Sequence, residues 1–345
     1  MELTTVWFCL IAVLWIGYFV LEGFDFGVGI LLPALAKTET ERRVMINTIG
    51  PVWDGNEVWL LVAGGATFAA FPEWYATLFS GFYLPLLLIL VALIIRGVAF
   101  EYRAKRDDPR WRAAWDKAIF WGSLLPAVLW GVAFANILRG VPIDSHHEYT
   151  GGFFNLLNPY ALVGGATTLL LFLTHGATFL ALKTDGEVRR KARALAGRTG
   201  LAAAAVTVVF LIWTQVQTGN AGSAVLFGAA AVTLLAGLYA VDQLREGWGF
   251  IGTFAAIALG VAGLFVALFP DVMPTSLADG SGLTTTSAAA THYTLRIMTI
   301  VAVFFTPIVL AYQGWTYWVF RQRISEHHIP APERVEEPVE TGTGL

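Results

Sequence analysis

Seven ionisable side chains within, or at the ends of, long apolar runs of this sequence are candidates for chemistry. A charged group near the centre of a membrane helix costs about 2.5–3.5 kcal/mol, so such residues usually mark a path for ions or protons. Acids spaced by three residues lie on one face of a helix. Two such acidic pairs, an arginine, a further glutamate and a histidine make up the set: Glu22 and Asp25, Asp54 and Glu57, Arg96, Glu101 and His175.

A proton path is the chemistry that these acids offer. Burial raises the pKa of a carboxyl group and a neighbouring arginine lowers it, so the two effects together can bring an acid near neutral pH. We predict that Asp25, Asp54 and Glu57 conduct protons beside Arg96. The alternative is that Arg96 and Asp54 form a structural ion pair that holds three helices together.

The remaining candidates, together with Arg96, are expected to form a supporting ion pair or to support packing. Glu22 is predicted to face a partner protein, and Glu101 lies at the cytoplasmic end of its helix. His175 is the one histidine well inside an apolar run, and we expect it to make a hydrogen bond between helices.

The composition requires lipid around the chain. Of 345 residues, 56% are apolar and 14% charged, against about 45–50% and about 25% in soluble domains. The 22 basic and 25 acidic side chains nearly cancel, which leaves no basic surface for nucleic acid. The single cysteine, Cys9, cannot form an intramolecular disulfide or a thiolate metal cluster. A soluble enzyme and a nucleic-acid-binding protein are excluded.

Apolar runs of about 20 residues, each long enough to cross a bilayer, predict an all-α polytopic membrane protein. Four domains are predicted: a first helix bundle over 1–140, a second over 141–270, an outer loop with a peripheral helix over 271–323, and a disordered tail over 324–345. The predicted helices cover 5–32, 52–70, 77–100, 118–138, 159–182, 200–217, 223–241, 249–269 and 293–320.

Basic residues predict the orientation of these helices. The loops after the first, third, fifth and seventh predicted helices, with the C-terminal tail, hold 19 of the 22 Lys and Arg residues. Cytoplasmic loops of membrane proteins collect such residues. We therefore expect the N-terminus outside, the C-terminus in the cytoplasm, and the acidic cluster toward the cytoplasmic side.

The histidines argue against a haem in this chain. A b-type haem usually needs His or Met ligands that project from helices. Five of the six histidines lie in a loop, in the tail or at a helix end, which leaves only His175 inside an apolar run. We therefore expect no cofactor and no metal to be bound by this chain.

Three motifs resemble subunit II of cytochrome bd-type quinol oxidases. They are Gly23-Phe-Asp-Phe-Gly-Val-Gly29, Gly50-Pro-Val-Trp-Asp-Gly-Asn-Glu-Val-Trp59 and Arg96-Gly-Val-Ala-Phe-Glu-Tyr102. Further similarity runs along essentially the whole chain, and the tryptophan-aspartate-glycine-asparagine element is distinctive.

The resemblance implies nine helices, arranged as two four-helix bundles plus a peripheral helix, paired with a subunit I. That subunit holds two b-type haems and one haem d, oxidises quinol and reduces O₂ to water in the bacterial plasma membrane. Subunit II then acts as a haem-free scaffold and as a wall of the cytoplasmic proton path, to which Asp25 and Asp54 correspond by motif. Some members carry glutamine at the position of Glu57, some hold a structural quinone, and a small single-helix subunit is a possible further partner.

A stand-alone proton-coupled transporter is the alternative function. Buried acids, a buried arginine and a possible internal repeat are also features of transporters. However, Pro85 and Pro307 do not interrupt helices at corresponding positions of two halves, as discontinuous transporter helices would.

Overall fold

The computed structural model describes residues 2–278 and 280–329. The described residues form eleven α-helices, joined by short loops and three turns of 3₁₀ helix. The α-helices are α1 Leu3–Leu35, α2 Glu39–Ile49, α3 Trp53–Ala70, α4 Pro72–Gly81, α5 Tyr83–Tyr102, α6 Pro109–Arg139, α7 Pro159–Lys183, α8 Gly186–Thr218, α9 Ala221–Asp242, α10 Glu246–Leu268 and α11 His292–Val319.

The predicted all-α polytopic fold is confirmed, with differences in the helix list. Eight of the described helices are long and apolar enough to cross a membrane. The predicted segment 52–70 is the helix α3, which is not among those eight. The predicted segment 77–100 was too long, because Phe82 leaves helical geometry and separates α4 from α5. Helix α2 was not predicted, since its sequence is polar on one face and too short to span a bilayer.

Helix α2 begins with a capping box. The Thr38 hydroxyl accepts a hydrogen bond from the backbone N–H of Glu41 (3.1 Å), and the Glu41 carboxylate accepts one from that of Thr38 (3.2 Å). Burial alone would raise the pKa of Glu41. The hydrogen bonds from Lys191 of α8 and from the backbone of Lys37 and Thr38 outweigh it, so the pKa is lowered. Glu41 therefore ties α2 to α8 as a carboxylate.

Helix α1 lies at the centre of the fold and packs against α3, α6, α7 and α10. Close approach to α7 depends on glycine: a Cβ atom at Gly27 would lie 2.1 Å from the backbone oxygen of Phe172, and one at Gly176 would lie 2.6 Å from Gly27. Since lipid supplies no hydrophobic drive between helices, small residues that let backbones approach are a main source of association.

Not every glycine pair serves this purpose. Gly164 and Gly165 of α7 contact α6 closely. Gly64 and Gly65 of α3 have no atom within 4 Å of a built Cβ, and they line a cavity instead.

The segments outside the helices are more ordered than the sequence predicts. In the outer region β1 (Asp271–Met273) pairs antiparallel with β2 (Leu283–Thr284).

After α11 the backbone N–H of Ile324 donates to the oxygen of Lys183 (2.8 Å), although this is where the disordered tail was predicted to begin. The rest of that predicted tail, 330–345, lies outside the described residues. The division at 140 and 270 stays a prediction; α1 packs against helices of both predicted bundles.

The close approach of α1 and α7 leads to a first prediction. Gly27→Ala is expected to destabilise the protein by about 1–3 kcal/mol, because a backbone oxygen must move to admit the methyl group. Gly228→Ala in α9, where a Cβ would meet open space, is the matched control and is expected to be neutral. Thermal unfolding of the purified protein measures both, and equal unfolding temperatures would contradict the packing argument.

Candidate functional site

The guanidinium of Arg96 is the centre of a buried charged cluster. Arg96 lies on α5 with no exposed surface. Its Nη2 donates to the carboxylate of Glu22 on α1 and to that of Glu57 on α3, the second at 2.5 Å. The ring of Phe26 packs against the guanidinium, 4.6 Å from its carbon to the ring centroid. One side chain thus connects α1, α3 and α5.

The Asp25 carboxylate lies one helical turn from Glu22 and has a different partner. Its Oδ2 accepts a hydrogen bond from Nδ2 of Asn56 on α3, at 2.7 Å. Both residues are fully buried. Glu22 and Asp25 are therefore on one face of α1, as their spacing predicts, and each is held by a neighbouring helix.

Asn56 connects this cluster to α11. Its Oδ1 accepts hydrogen bonds from the hydroxyl of Tyr317 (2.7 Å) and from Nε2 of Gln313 (3.2 Å). The Oε1 of Gln313 in turn accepts a hydrogen bond from the indole N–H of Trp59 (2.8 Å). A continuous series of hydrogen bonds therefore runs from Trp59 through Gln313 and Asn56 to Asp25.

Several polar atoms of the cluster have no protein partner. Glu22 Oε2, Asp25 Oδ1, and Nε and Nη1 of Arg96 are buried and make no hydrogen bond to the described residues. Buried polar groups of native proteins are normally satisfied by protein or by ordered water. Four such atoms on three adjacent residues indicate a polar interior in this part of the bundle.

The structure separates the predicted site residues. Asp25, Glu57 and Arg96 come together as predicted, but the alternative ion pair between Arg96 and Asp54 is wrong. Asp54 lies exposed in the first turn of α3 and has no ionic or hydrogen-bonded partner among the described side chains. Asp54 and Glu57 were expected on one face of α3, but their directions differ by about 60°, and only Glu57 reaches Arg96.

The structure also places the two remaining acids. Glu22 was predicted to face a partner protein, but it is fully buried and pairs with Arg96 inside this chain. Glu101 is exposed at the last turn of α5, with no ionic partner in the described part of the chain.

His175 lies between α1, α7 and α10. Its Nδ1 is 2.7 Å from the Thr253 hydroxyl and its Nε2 is 3.1 Å from the backbone oxygen of Val20. The ring stacks on Phe250 at 4.6 Å between centroids. Both nitrogens are engaged between helices, so neither is free to bind a haem iron.

Sequence reasoning missed the uncharged members of this network. Because Asn56, Gln313 and Tyr317 are uncharged, a search for ionisable residues in apolar runs does not select them. The two amide side chains were a usable signal, because amides within apolar helices usually hydrogen-bond across helices.

A largely apolar cavity of about 470 Å³ lies between α1, α3, α4, α5 and α6. Its walls include Trp15, Trp74 and Trp130 together with Leu and Phe side chains. The indole nitrogen of Trp74 is buried and has no acceptor among the described residues. Within those residues no group of three or more His, Cys, Asp or Glu could hold a metal ion.

Comparison with known proteins identifies the family. The model of the family "Cytochrome bd terminal oxidase subunit II" matches residues 3–320. The chain belongs to this family. The predicted membership is thereby confirmed, and a subunit II implies a partner subunit I. A multi-pass membrane location agrees with the eight span-length helices.

Relatives from bacteria support the same assignment. The chain is 42% identical to "Cytochrome bd ubiquinol oxidase subunit 2" of Bacillus subtilis, covering 94% of this chain and 97% of the relative. It is 38% identical to "Cytochrome bd-I ubiquinol oxidase subunit 2" of Escherichia coli K12, covering 94% and 96%. Membership of an oxidase family over nearly the whole chain replaces the stand-alone transporter as the interpretation.

The fold is also similar to a solved structure. "The structure of bd oxidase from Geobacillus thermodenitrificans" superposes with a TM-score of 0.77, covering 93% of this chain and 99% of that chain at 16% identity. At this identity the similarity supports the arrangement of helices alone.

The charged cluster leads to a second prediction. Arg96→Gln is expected to destabilise the complex by about 3–5 kcal/mol, because it leaves buried carboxylates without their cation. Adding Glu22→Gln is expected to recover part of the loss. Thermal unfolding and purified yield measure the effect, with exposed Arg110→Gln as the control. Wild-type stability of the single Arg96 variant would show that the ion pairs do not hold the helices.

Proposed function

We propose that this chain is the scaffolding and proton-delivering subunit of a quinol oxidase that reduces O₂ to water. Membership of the subunit II family places it in a cytochrome bd complex, and the names of its relatives indicate quinol as the electron donor. In this proposal a bacterial plasma membrane holds the complex, with the N-terminus outside and the C-terminus in the cytoplasm.

The proton-delivery proposal rests on the increase in side-chain exposure from the buried acids of α1 to the acids of α3. Glu22 and Asp25 are fully buried, the Glu57 side chain is 21% exposed, and Asp54 one turn earlier on α3 is exposed. The acids therefore extend from the core to the surface of α3. Rows of acids inside membrane proteins commonly serve as proton relays.

Water completes the proposed path. The unpartnered oxygens of Glu22 and Asp25 and the unpartnered nitrogens of Arg96 are adjacent, and a buried water typically makes about three hydrogen bonds to such groups. Waters at these atoms would connect Asp25 to Glu57, which no direct hydrogen bond joins. Cytoplasmic protons consumed at the oxygen site, with quinol protons released outside, would make turnover electrogenic.

Subunit I is proposed to cover the exposed face of α3 and α5. Only Asn56, Ala63, Thr67 and Ala70 of α3 are buried within this chain. A carboxylate such as Asp54 is costly where it meets lipid, and less so where it meets a polar protein surface. Asp54 on that face is well placed to pass a proton to the partner.

Haem is proposed to belong to subunit I alone, with two haems b and one haem d there. The described residues of this chain do not fit a haem: His175 has both ring nitrogens engaged, and no other histidine lies inside a described span-length helix beyond its first residue. No step in this chain is therefore assigned to haem.

A quinone ring fits the cavity beside α3. A volume of about 470 Å³ falls within the ~300–1,000 Å³ of ligand pockets, and its lining is apolar and aromatic. Trp74 supplies a buried indole N–H that still needs an acceptor, and a quinone carbonyl is one. Such a molecule would stabilise the helices around it.

The proton-delivery proposal predicts the behaviour of two variants. Asp54→Asn and Asp25→Asn are each expected to lower quinol-dependent O₂ uptake by roughly 10²-fold or more, the scale of losing a proton-transfer group, while haem spectra and assembly are unchanged. Glu73→Gln, an exposed acid on α4, is the control. Full turnover of both aspartate variants in an intact complex would rule out an essential role for either acid.

The quinone proposal predicts a change in bound quinone. Trp74→Phe removes the N–H and keeps the ring, so the purified complex is expected to retain less quinone per haem when its extracts are quantified by chromatography. Trp111→Phe, which removes an indole N–H that donates to the backbone oxygen of Tyr102 outside the cavity, is the matched control. Quinone retention equal to wild type in the Trp74 variant would reject the proposed hydrogen bond.

A further inference from the structure

Helix α11 packs against the rest of the described chain through few of its side chains. Leu295 is its one buried residue in the described chain, and Trp7 contacts that same end. Near its other end, Gln313 and Tyr317 lie four residues apart and so share one face. Both point at Asn56 of α3.

The direction of each hydrogen bond in this chain follows from chemistry. An indole N–H is a donor only, so Trp59 requires the oxygen of the Gln313 amide to face it. The amide nitrogen of Gln313 then faces Asn56, and it can only donate to the oxygen of that residue. The Asn56 nitrogen is left to face the carboxylate of Asp25.

The hydroxyl of Tyr317, which can donate or accept, is satisfied by the same orientation. It donates to Asn56 Oδ1 at 2.7 Å, so this oxygen has two donors from α11. A flipped Asn56 amide would place its oxygen against the Asp25 carboxylate and its nitrogen against the Gln313 nitrogen. The first contact is repulsive because an amide oxygen and an ionised carboxylate are both acceptors. The second is repulsive because both amide nitrogens are donors.

We infer that Gln313 and Tyr317 are positioning residues for Asp25. Through Asn56 they hold an N–H donor against one oxygen of this acid and leave its other oxygen, Oδ1, for the path. The inference deepens the proposed function and rests on it for its effect on turnover, but the geometry at Asp25 is a separate claim. Helix α11 is thus part of the proton-handling site, although it carries none of its acids.

Infrared spectroscopy of the complex tests the geometry. The carboxylate stretch of Asp25 is assigned as the band that disappears in Asp25→Asn. The double variant Gln313→Leu with Tyr317→Phe is expected to shift this band, and Tyr312→Phe is the matched control because the Tyr312 side chain is exposed on the same helix. An unshifted Asp25 band in the double variant overturns the inference.

Kinetics separate this inference from the proposed function. The double variant is expected to lower kcat for quinol-dependent O₂ uptake by roughly threefold to tenfold, the effect of one or two hydrogen bonds, with KM for quinol unchanged. A shifted band with unchanged kcat supports the positioning of Asp25 and contradicts its role in proton delivery. If the double variant does not assemble, the single variant Tyr317→Phe, which removes one hydroxyl, is measured instead. A shift of the Asp25 carboxylate band in this variant supports the inference, and an unshifted band overturns it.

Discussion

The pairing of Arg96 with buried carboxylates is the constraint on which the rest of this fold depends. A guanidinium with no exposed surface is stable inside a membrane only when acids surround it. Glu22 and Glu57 supply two of them, from different helices. Their positions fix the rotation of α1 and α3 about their own axes, and through this rotation they fix which residues of each helix face lipid or a partner.

One cation among three acids also has a chemical consequence. Arg96 balances the charge of one carboxylate, whereas Glu22, Glu57 and Asp25 all lie in its vicinity. Full ionisation of all three would leave a net negative charge in a low-dielectric interior, which is costly. The same arrangement that holds the helices together therefore favours exchange of protons among the acids, so structure and proposed function have one cause.

Hydropathy and charge predicted much of this molecule, and the failures have specific reasons. Long apolar runs mark helices well, because a bilayer leaves the backbone few other options. They do not reveal a one-residue break such as Phe82, or an amphipathic helix such as α2. Depth and charge found Asp25, Glu57 and Arg96, but helix rotation decided that Asp54 turns outward. Asn56 and Tyr317 needed the fold, because their role depends on a contact across more than 250 residues of sequence.

Helix α1 joins the packing of the fold to its chemistry. At about 100° per residue, Gly23 and Gly27 lie on the side of α1 opposite Glu22 and Asp25. The glycine side approaches α7 until backbones touch, and the acidic side meets α3 and α5. Because one rigid helix carries both faces, any displacement of α1 from α7 also moves its acids relative to Arg96 and Asn56. A proton path built on such a helix needs tight packing on the face that bears no charge at all.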